Sequence, residues 1–144
     1  FKLDILGDGP ELNTLKKLAG ASERIVFHGH KDGQEKYNLL KNSDIMVCTT
    51  YMDSWSLNVN EALAFKLPVI VSTNAGCAME LVKDNGVTYK AGDIKNLKRK
   101  LEYFIGSKKV RNNFSKSSTA LRHKLHLNYA KSTFDKAIKF SIMQ

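Results

Sequence analysis

The stretch DSWSLNVNEALAFKLPVIV, Asp53 to Val71, decides how the whole chain is read. It contains a polar loop, a short helical run, a turn marked by Pro68 and a β-branched strand. Asp53 and Glu61 are carboxylates with seven residues between them. Trp55, Ser56, Leu57 and Asn58 lie in that interval, where free backbone N–H groups open the helix. Such an N-terminus favours an anion. Carboxylates beside it repel that anion unless they are directed at hydroxyls. Hydroxyls plus a phosphate describe a sugar nucleotide. Each residue also has a plainer reading. Asn58-Val-Asn-Glu61 fits a capping box with Asn58 at the N-cap and Glu61 at N3. Asp53 alone reads as a loop acid, and Trp55 alone as a core or interface residue.

Working outward, Pro68 to Ser72 is a continuous β-branched run that suits a strand covered on both faces. Upstream, Ser43 to Thr50 is another apolar strand that leads into the loop. Earlier still, Lys2 to Leu6 alternates and runs into Gly7-Asp-Gly-Pro10. This predicts a strand, a glycine turn and a helix opened by Pro10 near its first position, with Leu12, Leu15 and Leu18 on its apolar face. Arg24 to Gly29 is the next strand, with His30 and Lys31 in the loop behind it and a short helix over residues 34–41. Downstream, Thr73 to Glu80 is a loop entering a short helix. Gly86 to Tyr89 is a fifth strand. Asp93 is the expected N-cap of a helix carrying Leu97, Leu101, Phe104 and Ile105. From Lys108 onward apolar residues recur at roughly helical spacing, which fits one helix or two, with Asn128 as a candidate break.

Strand and helix alternate five times, which predicts an α/β fold. We expect a parallel Rossmann-like sheet of about five strands flanked by helices, with a helical C-terminal tail. One domain of 144 residues is expected, with its α/β core over 1–106 and the tail over 107–144. In such folds ligands bind beyond the carboxyl ends of strands. The loops at Gly7 to Pro10, His28 to Lys31, Thr50 to Asn58 and Ser72 to Cys77 all follow strands. No apolar run is long enough to span a membrane, and no metal-binding spacing occurs. Cys48 and Cys77 are the only cysteines and make no disulfide framework. Charge is uneven. Residues 1–94 hold 10 Lys/Arg against 12 Asp/Glu, a net of −2, and residues 95–144 hold 13 against 2, a net of +11. The plain reading of that tail is a solvated helix surface. The functional reading is contact with a polyanion.

The same residues carry a resemblance. Two acids separated by seven residues, the second followed by Ala-x-Ala-x-x-x-Pro-Val-Ile, resemble the donor-site signature of retaining GT-B glycosyltransferases of family four, which build bacterial polysaccharides, lipopolysaccharides and glycolipids. Gly7-Asp-Gly-Pro10, the apolar strand closed by Gly29, Ser43-Asp44, and Gly76 with Glu80 match further points of that pattern. The resemblance covers most of residues 3–105 and implies a GT-B C-terminal, donor-binding domain that lacks its first strand-helix unit. It implies that Asp53 orients sugar hydroxyls and that the Trp55, Ser56 and Leu57 backbone, with Asn58, contacts phosphate and sugar. It assigns Glu61 to the ribose. Gly7, Gly9, Gly29, His30 and Lys31 fall in nucleotide-side loops, and Gly76 and Cys77 in a sugar-side loop.

The implied reaction is transfer of a hexosyl unit, with retention, from a nucleoside-diphosphate sugar to a polysaccharide or lipid-linked acceptor. A UDP-sugar is the favoured donor, and neither a cofactor nor a metal is expected. The acceptor would be bound by an N-terminal domain outside this chain. An upstream Arg and Lys that neutralise the diphosphate in the family are also outside it. These 144 residues are therefore expected to be a truncated donor-binding half that is inactive alone. The expected setting is cytoplasmic, with peripheral contact to anionic membrane through the basic tail and no nucleic-acid partner. Two departures stand out. Lys66 occupies a place where the family has Gly, and a left-handed backbone there costs a non-Gly residue roughly 1 kcal/mol. Cys77 and Met79 replace a Gly and a Pro near the transferred sugar. Two rival readings remain. One is a GT-B sugar-nucleotide epimerase, which needs catalytic acids and a His in a context not seen here. The other is a non-enzymatic basic domain for RNA or anionic membrane, whose binding would survive Asp53→Ala and Glu61→Ala.

Overall fold

The computed structural model describes residues 1–125 and 127–142. They fall into two compact units, Phe1–Asn42 and Ser43–Gln144. All five expected strands form and every pairing is parallel, in one two-stranded and one three-stranded sheet.

In the first unit, β1 (Leu3–Leu6) pairs with β2 (Ile25–Gly29), with α1 (Leu12–Ala19) between them in sequence and α2 (Gly33–Lys41) after them. Leu3, Asp4 and Ile5 oppose Ile25, Val26 and Phe27, but Leu6 opposes Gly29. His28 is thus the extra residue of a bulge. Its Nε2 lies 2.7 Å from Asp4 Oδ1, and Lys2 Nζ lies 2.9 Å from the same oxygen. The His28 hydrogen bond, ahead of Lys2, holds the Asp4 carboxyl below its ordinary range. The helix expected to open at Pro10 begins later. Glu11 is its N-cap and Pro10 lies in the turn before it. Proline's fixed φ serves a turn as well as a first helical position, and here the turn takes it.

In the second unit, β3 (Met46–Cys48), β4 (Val69–Ser72) and β5 (Gly86–Tyr89) stand in the order β3-β4-β5. All four residues of the central strand β4 are buried, which is what a β-branched run without alternation requires. Ile70, Tyr89 and Phe104 form a core cluster, with Val47, Leu101, Val110 and Phe114 packed against it. Helix α3 (Leu57–Ala64) buries Val59, Ala62 and Leu63. It ends in a Schellman turn, because Leu67 N–H donates to Ala62 O (2.9 Å) and Lys66 N–H to Leu63 O (3.0 Å). Lys66 takes the left-handed position with φ 63°, as the expected Gly would.

After α4 (Ala78–Leu81), the fully buried Asn85 donates to Leu81 O and accepts from Lys83 N–H, which fixes the turn into β5. Asp93 caps α5 (Ile94–Ile105) as expected, accepting from Asn96 N–H at 2.9 Å. The guanidinium of Arg111 donates to the carbonyls of Phe104 and Ile105 at the other end of α5. On α6 (Lys108–Leu121), the buried Ser118 hydroxyl donates to Leu67 O at 2.7 Å and so ties this helix to the turn after α3. The break for which Asn128 was the candidate falls instead over the 3-10 turn Arg122–Leu125, and Asn128 lies within α7 (Leu127–Ile142). No described helix is long and apolar enough to cross a membrane.

Candidate functional site

The site is built on the loop after β3. Asp53 makes a tight turn of that loop with its own side chain. Its Oδ1 accepts from Trp55 N–H (3.0 Å) and Ser56 N–H (2.8 Å), and its Oδ2 accepts from the Ser56 hydroxyl (2.7 Å). The Ser56 hydroxyl and the two amides together hold the Asp53 carboxyl below its ordinary value. Ser56 is buried and left-handed, with φ 70° and ψ 71°. A non-glycine residue there is strained, and such strain persists only where its surroundings over-determine it. Those surroundings include two thiols. Cys48 Sγ lies 3.6 Å from Ser56 Oγ, and Cys77 Sγ lies 4.0 Å from Ser56 O. Burial pushes the Cys77 thiol up to about 11.

This turn replaces the expected capping box. Ser56, not Asn58, is the N-cap of α3, and Asn58 lies inside the helix. Glu61 therefore stands beyond the first turn, where N3 capping geometry does not reach, and it is half-buried. The plain reading of Glu61 as a helix cap is lost. The amides expected to face a ligand are also redistributed. Those of Trp55 and Ser56 are taken by Asp53, while the Leu57 N–H opens the helix and finds no acceptor among the described residues. Leu57 and Asn58 are exposed. The Trp55 ring is partly exposed, and its Nε1–H donates to Asn60 Oδ1 at 2.9 Å.

The loop after β4 is zipped to this turn. Asp53 N–H donates to Asn74 O (3.3 Å), Gly76 N–H to Asp53 O (2.9 Å) and Cys77 N–H to Trp55 O (3.1 Å). Asn74 also donates from its side chain to Tyr51 O at 2.7 Å. A Cβ on Gly76 would sit 1.9 Å from Ser54 O, so only glycine permits this approach. Gly76 thus serves the loop-loop contact. Cys77 is fully buried, so its thiol lines no open surface, and Met79 is the exposed side chain of this segment. Asn74 was not singled out in the sequence; its place in a Ser-Thr-Asn-Ala-Gly turn was the available signal.

In the first unit, Gly7 N–H donates to Gly29 O at 2.7 Å, so the turns after β1 and β2 are held together. Gly9 N–H is taken by the Asp8 side chain. His30 is exposed, and Lys31 pairs with Glu35 one helical turn on, at 2.8 Å. Among the described residues no three His, Cys, Asp or Glu side chains gather as a metal site.

Parallel strands alternating with helices define a Rossmann-like class of α/β fold. The family follows from the sequence. The profile of "Glycosyl transferases group 1" matches residues 1–120, and the chain belongs to that family. It is 33% identical over 97 residues to the N-acetyl-alpha-D-glucosaminyl L-malate synthase of Bacillus anthracis, covering 64% of this chain and 25% of that protein. The chain spans about a quarter of the length of the curated relatives it matches. Among solved structures, the C-terminal domain of a glycosyl transferase group 1 family protein (LpcC) from Francisella tularensis superposes with TM-score 0.70 at 26% identity, covering 81% of this chain and 62% of that one. The Anabaena protein HepE, solved in complex with UDP-glucose, superposes with TM-score 0.73 at 20% identity, covering 97% of this chain and 40% of that one, and shares the fold.

Proposed function

We propose that this chain is the donor-binding part of a retaining glycosyltransferase that moves a hexosyl unit from a nucleoside-diphosphate sugar to a polysaccharide or lipid-linked acceptor. One observation carries the reading. The turn Asp53–Ser56 opens α3 at Leu57, with Glu61 one turn further in, at the carboxyl end of a parallel strand. Family membership and the UDP-glucose bound by a protein of the same fold support it. On this reading the Leu57 and Asn58 end of α3 faces the diphosphate, where a helix N-terminus stabilises charge developing on the leaving group. Glu61 faces the ribose. Gly7, Gly9, Gly29, His30 and Lys31 are assigned to the nucleotide on the family pattern alone. No general base is assigned, and no metal or cofactor is invoked. UDP is the favoured nucleotide and the cytoplasmic side the favoured setting.

The test is calorimetric titration of the chain with UDP, GDP, ADP and their glucose esters, repeated on Glu61→Ala. Selective binding of one nucleotide, lost in the variant, supports the reading. Binding that is equal for all three and unchanged in Glu61→Ala would refute it. The epimerase reading has no observation in its favour.

A further inference from the structure

In the proposed donor site the carboxylate of Asp53 is the natural candidate for a sugar-hydroxyl contact. The geometry points to a different role: we infer that Asp53 is a positioning residue whose carboxylate holds the Trp55–Ser56 turn and thereby sets the first amides of α3. Three hydrogen bonds already occupy it, two on Oδ1 and one on Oδ2, all to residues two or three positions ahead. Its backbone is equally committed, with Asp53 N–H donating to Asn74 O and Asp53 O accepting from Gly76 N–H. A residue tied at both backbone groups and both carboxylate oxygens is part of the frame.

What the frame holds is Ser56. At Ser56, φ 70° and ψ 71° are strained for an L residue, and the engaged amide and hydroxyl hold it there. Asp53 engages both. If it is removed, Ser56 relaxes toward an ordinary conformation, and α3 opens at a different residue with its amides turned elsewhere. The carboxylate therefore acts on the ligand through Leu57 and Asn58. Ser56 is the second half of the device, because its hydroxyl supplies the bond to Oδ2. Cys48 and Cys77 close over it from the buried side.

This assignment rests on the donor-site reading only where ligand is used, and one arm of the test needs no ligand. Trp55 is the only tryptophan in the chain, and its amide is one of the three groups on Asp53. Its emission therefore reports the turn directly. The variants are Asp53→Ala, Ser56→Ala and Asp53→Asn. The last keeps an oxygen for the two amides and an N–H for the Ser56 hydroxyl. Circular dichroism confirms that each is folded.

In the ligand-free arm, acrylamide quenching of Trp55 should rise at least twofold in Asp53→Ala, rise in Ser56→Ala, and stay near wild type in Asp53→Asn. In the ligand arm, affinity for UDP without any sugar should fall at least tenfold in Asp53→Ala, fall in Ser56→Ala, and recover in Asp53→Asn. A direct sugar contact predicts the opposite pattern. UDP affinity and Trp55 quenching would be untouched in Asp53→Ala, only the extra affinity of UDP-glucose over UDP would vanish, and Ser56→Ala would be neutral. That pattern overturns the inference. If wild type binds no nucleotide at all, the donor-site reading fails and quenching alone decides. Unchanged quenching in Asp53→Ala would then overturn the positioning role, and increased quenching would sustain it.

Discussion

Helix α3 is bracketed by the two non-glycine residues of positive φ among the described residues, Ser56 at 70° and Lys66 at 63°. They differ in what holds them. Ser56 is buried and hydrogen-bonded through its side chain, whereas Lys66 is exposed and only its backbone matters. Left-handed geometry costs an L residue roughly 1–2 kcal/mol, while glycine's greater freedom in the unfolded chain gives part of that back. Lys66→Gly should therefore stabilise the chain by about 0.5–1 kcal/mol, read as a higher midpoint in urea with an unchanged slope. The Lys66 position was legible in the sequence, because the family pattern places glycine there. The Ser56 position was not, because serine has no intrinsic preference for that region and only the folded loop imposes it.

Asp53 yields a second prediction at this scale. Its carboxyl is held below the ordinary 3.8 by the Ser56 hydroxyl and the two amides. The turn is thus fully supported above that value and loses support as pH falls through the lowered folded-state value. Cys77, beside Ser56, stays a thiol in that range, because burial pushes it up to about 11. An acid titration of Trp55 emission should show a transition below pH 3.8 in wild type. That transition should be absent in Asp53→Asn.

Between elements, the contact that matters is the zipper joining the loops after β3 and β4. Three backbone bonds and the Asn74 side chain make it, and Gly76 permits it. Gly76→Ala puts a methyl group 1.9 Å from Ser54 O, so the loops must part and the bonds from Gly76 and Cys77 are lost. At 0.5–1.5 kcal/mol for each net hydrogen bond, the expected loss is roughly 1–3 kcal/mol. Thermal melting should show it as a fall of several degrees, with Trp55 emission shifting in the folded baseline. A melt unchanged from wild type would mean that the loops have room the geometry denies them.

Elements of this kind were easy to find in the sequence and hard to delimit. The strand Pro68 to Ser72 was legible because an unbroken β-branched run has few other uses, and Asp93 because an acid before an apolar helical stripe is a strong cap. Three boundaries were misplaced. Asn58, Pro10 and Asn128 all suit a helix end or break, but for the first two competing local bonds decided the outcome. Ser56 with Asp53 displaced Asn58, and the turn before Glu11 absorbed Pro10. The last break fell over Arg122–Leu125, ahead of Asn128.

At the scale of the whole molecule, the charge asymmetry is the property the fold does not explain. The net of +11 over residues 95–144 sits on helices α5, α6 and α7 and the turn between the last two. Lys95, Lys98, Arg99, Lys108, Lys109, Lys116 and Arg122 are all exposed. Only modest pairing offsets them, such as Lys98 with Glu102 at 3.8 Å. On α5 the large apolar side chains of Ile94 and Tyr103 are exposed among these cations. Exposed Ile94 among Lys and Arg suits an anionic lipid surface, which takes up apolar side chains beside its charge. Each basic residue near such a surface contributes on the order of 1 kcal/mol, screened over a Debye length of about 10 Å at 0.1 M salt. The chain should therefore sediment with vesicles containing phosphatidylglycerol at low salt, and not with pure phosphatidylcholine. Sedimentation should weaken strongly by 0.5 M salt, where the Debye length is roughly half its value at 0.1 M. The quadruple variant Lys95→Gln, Lys98→Gln, Lys108→Gln, Lys109→Gln should abolish it, whereas Glu61→Ala should leave it intact because the donor site takes no part. Equal retention of the quadruple variant would show that these helices are only a solvated surface. Loss in Glu61→Ala would show that the acidic site and the basic helices work on one ligand.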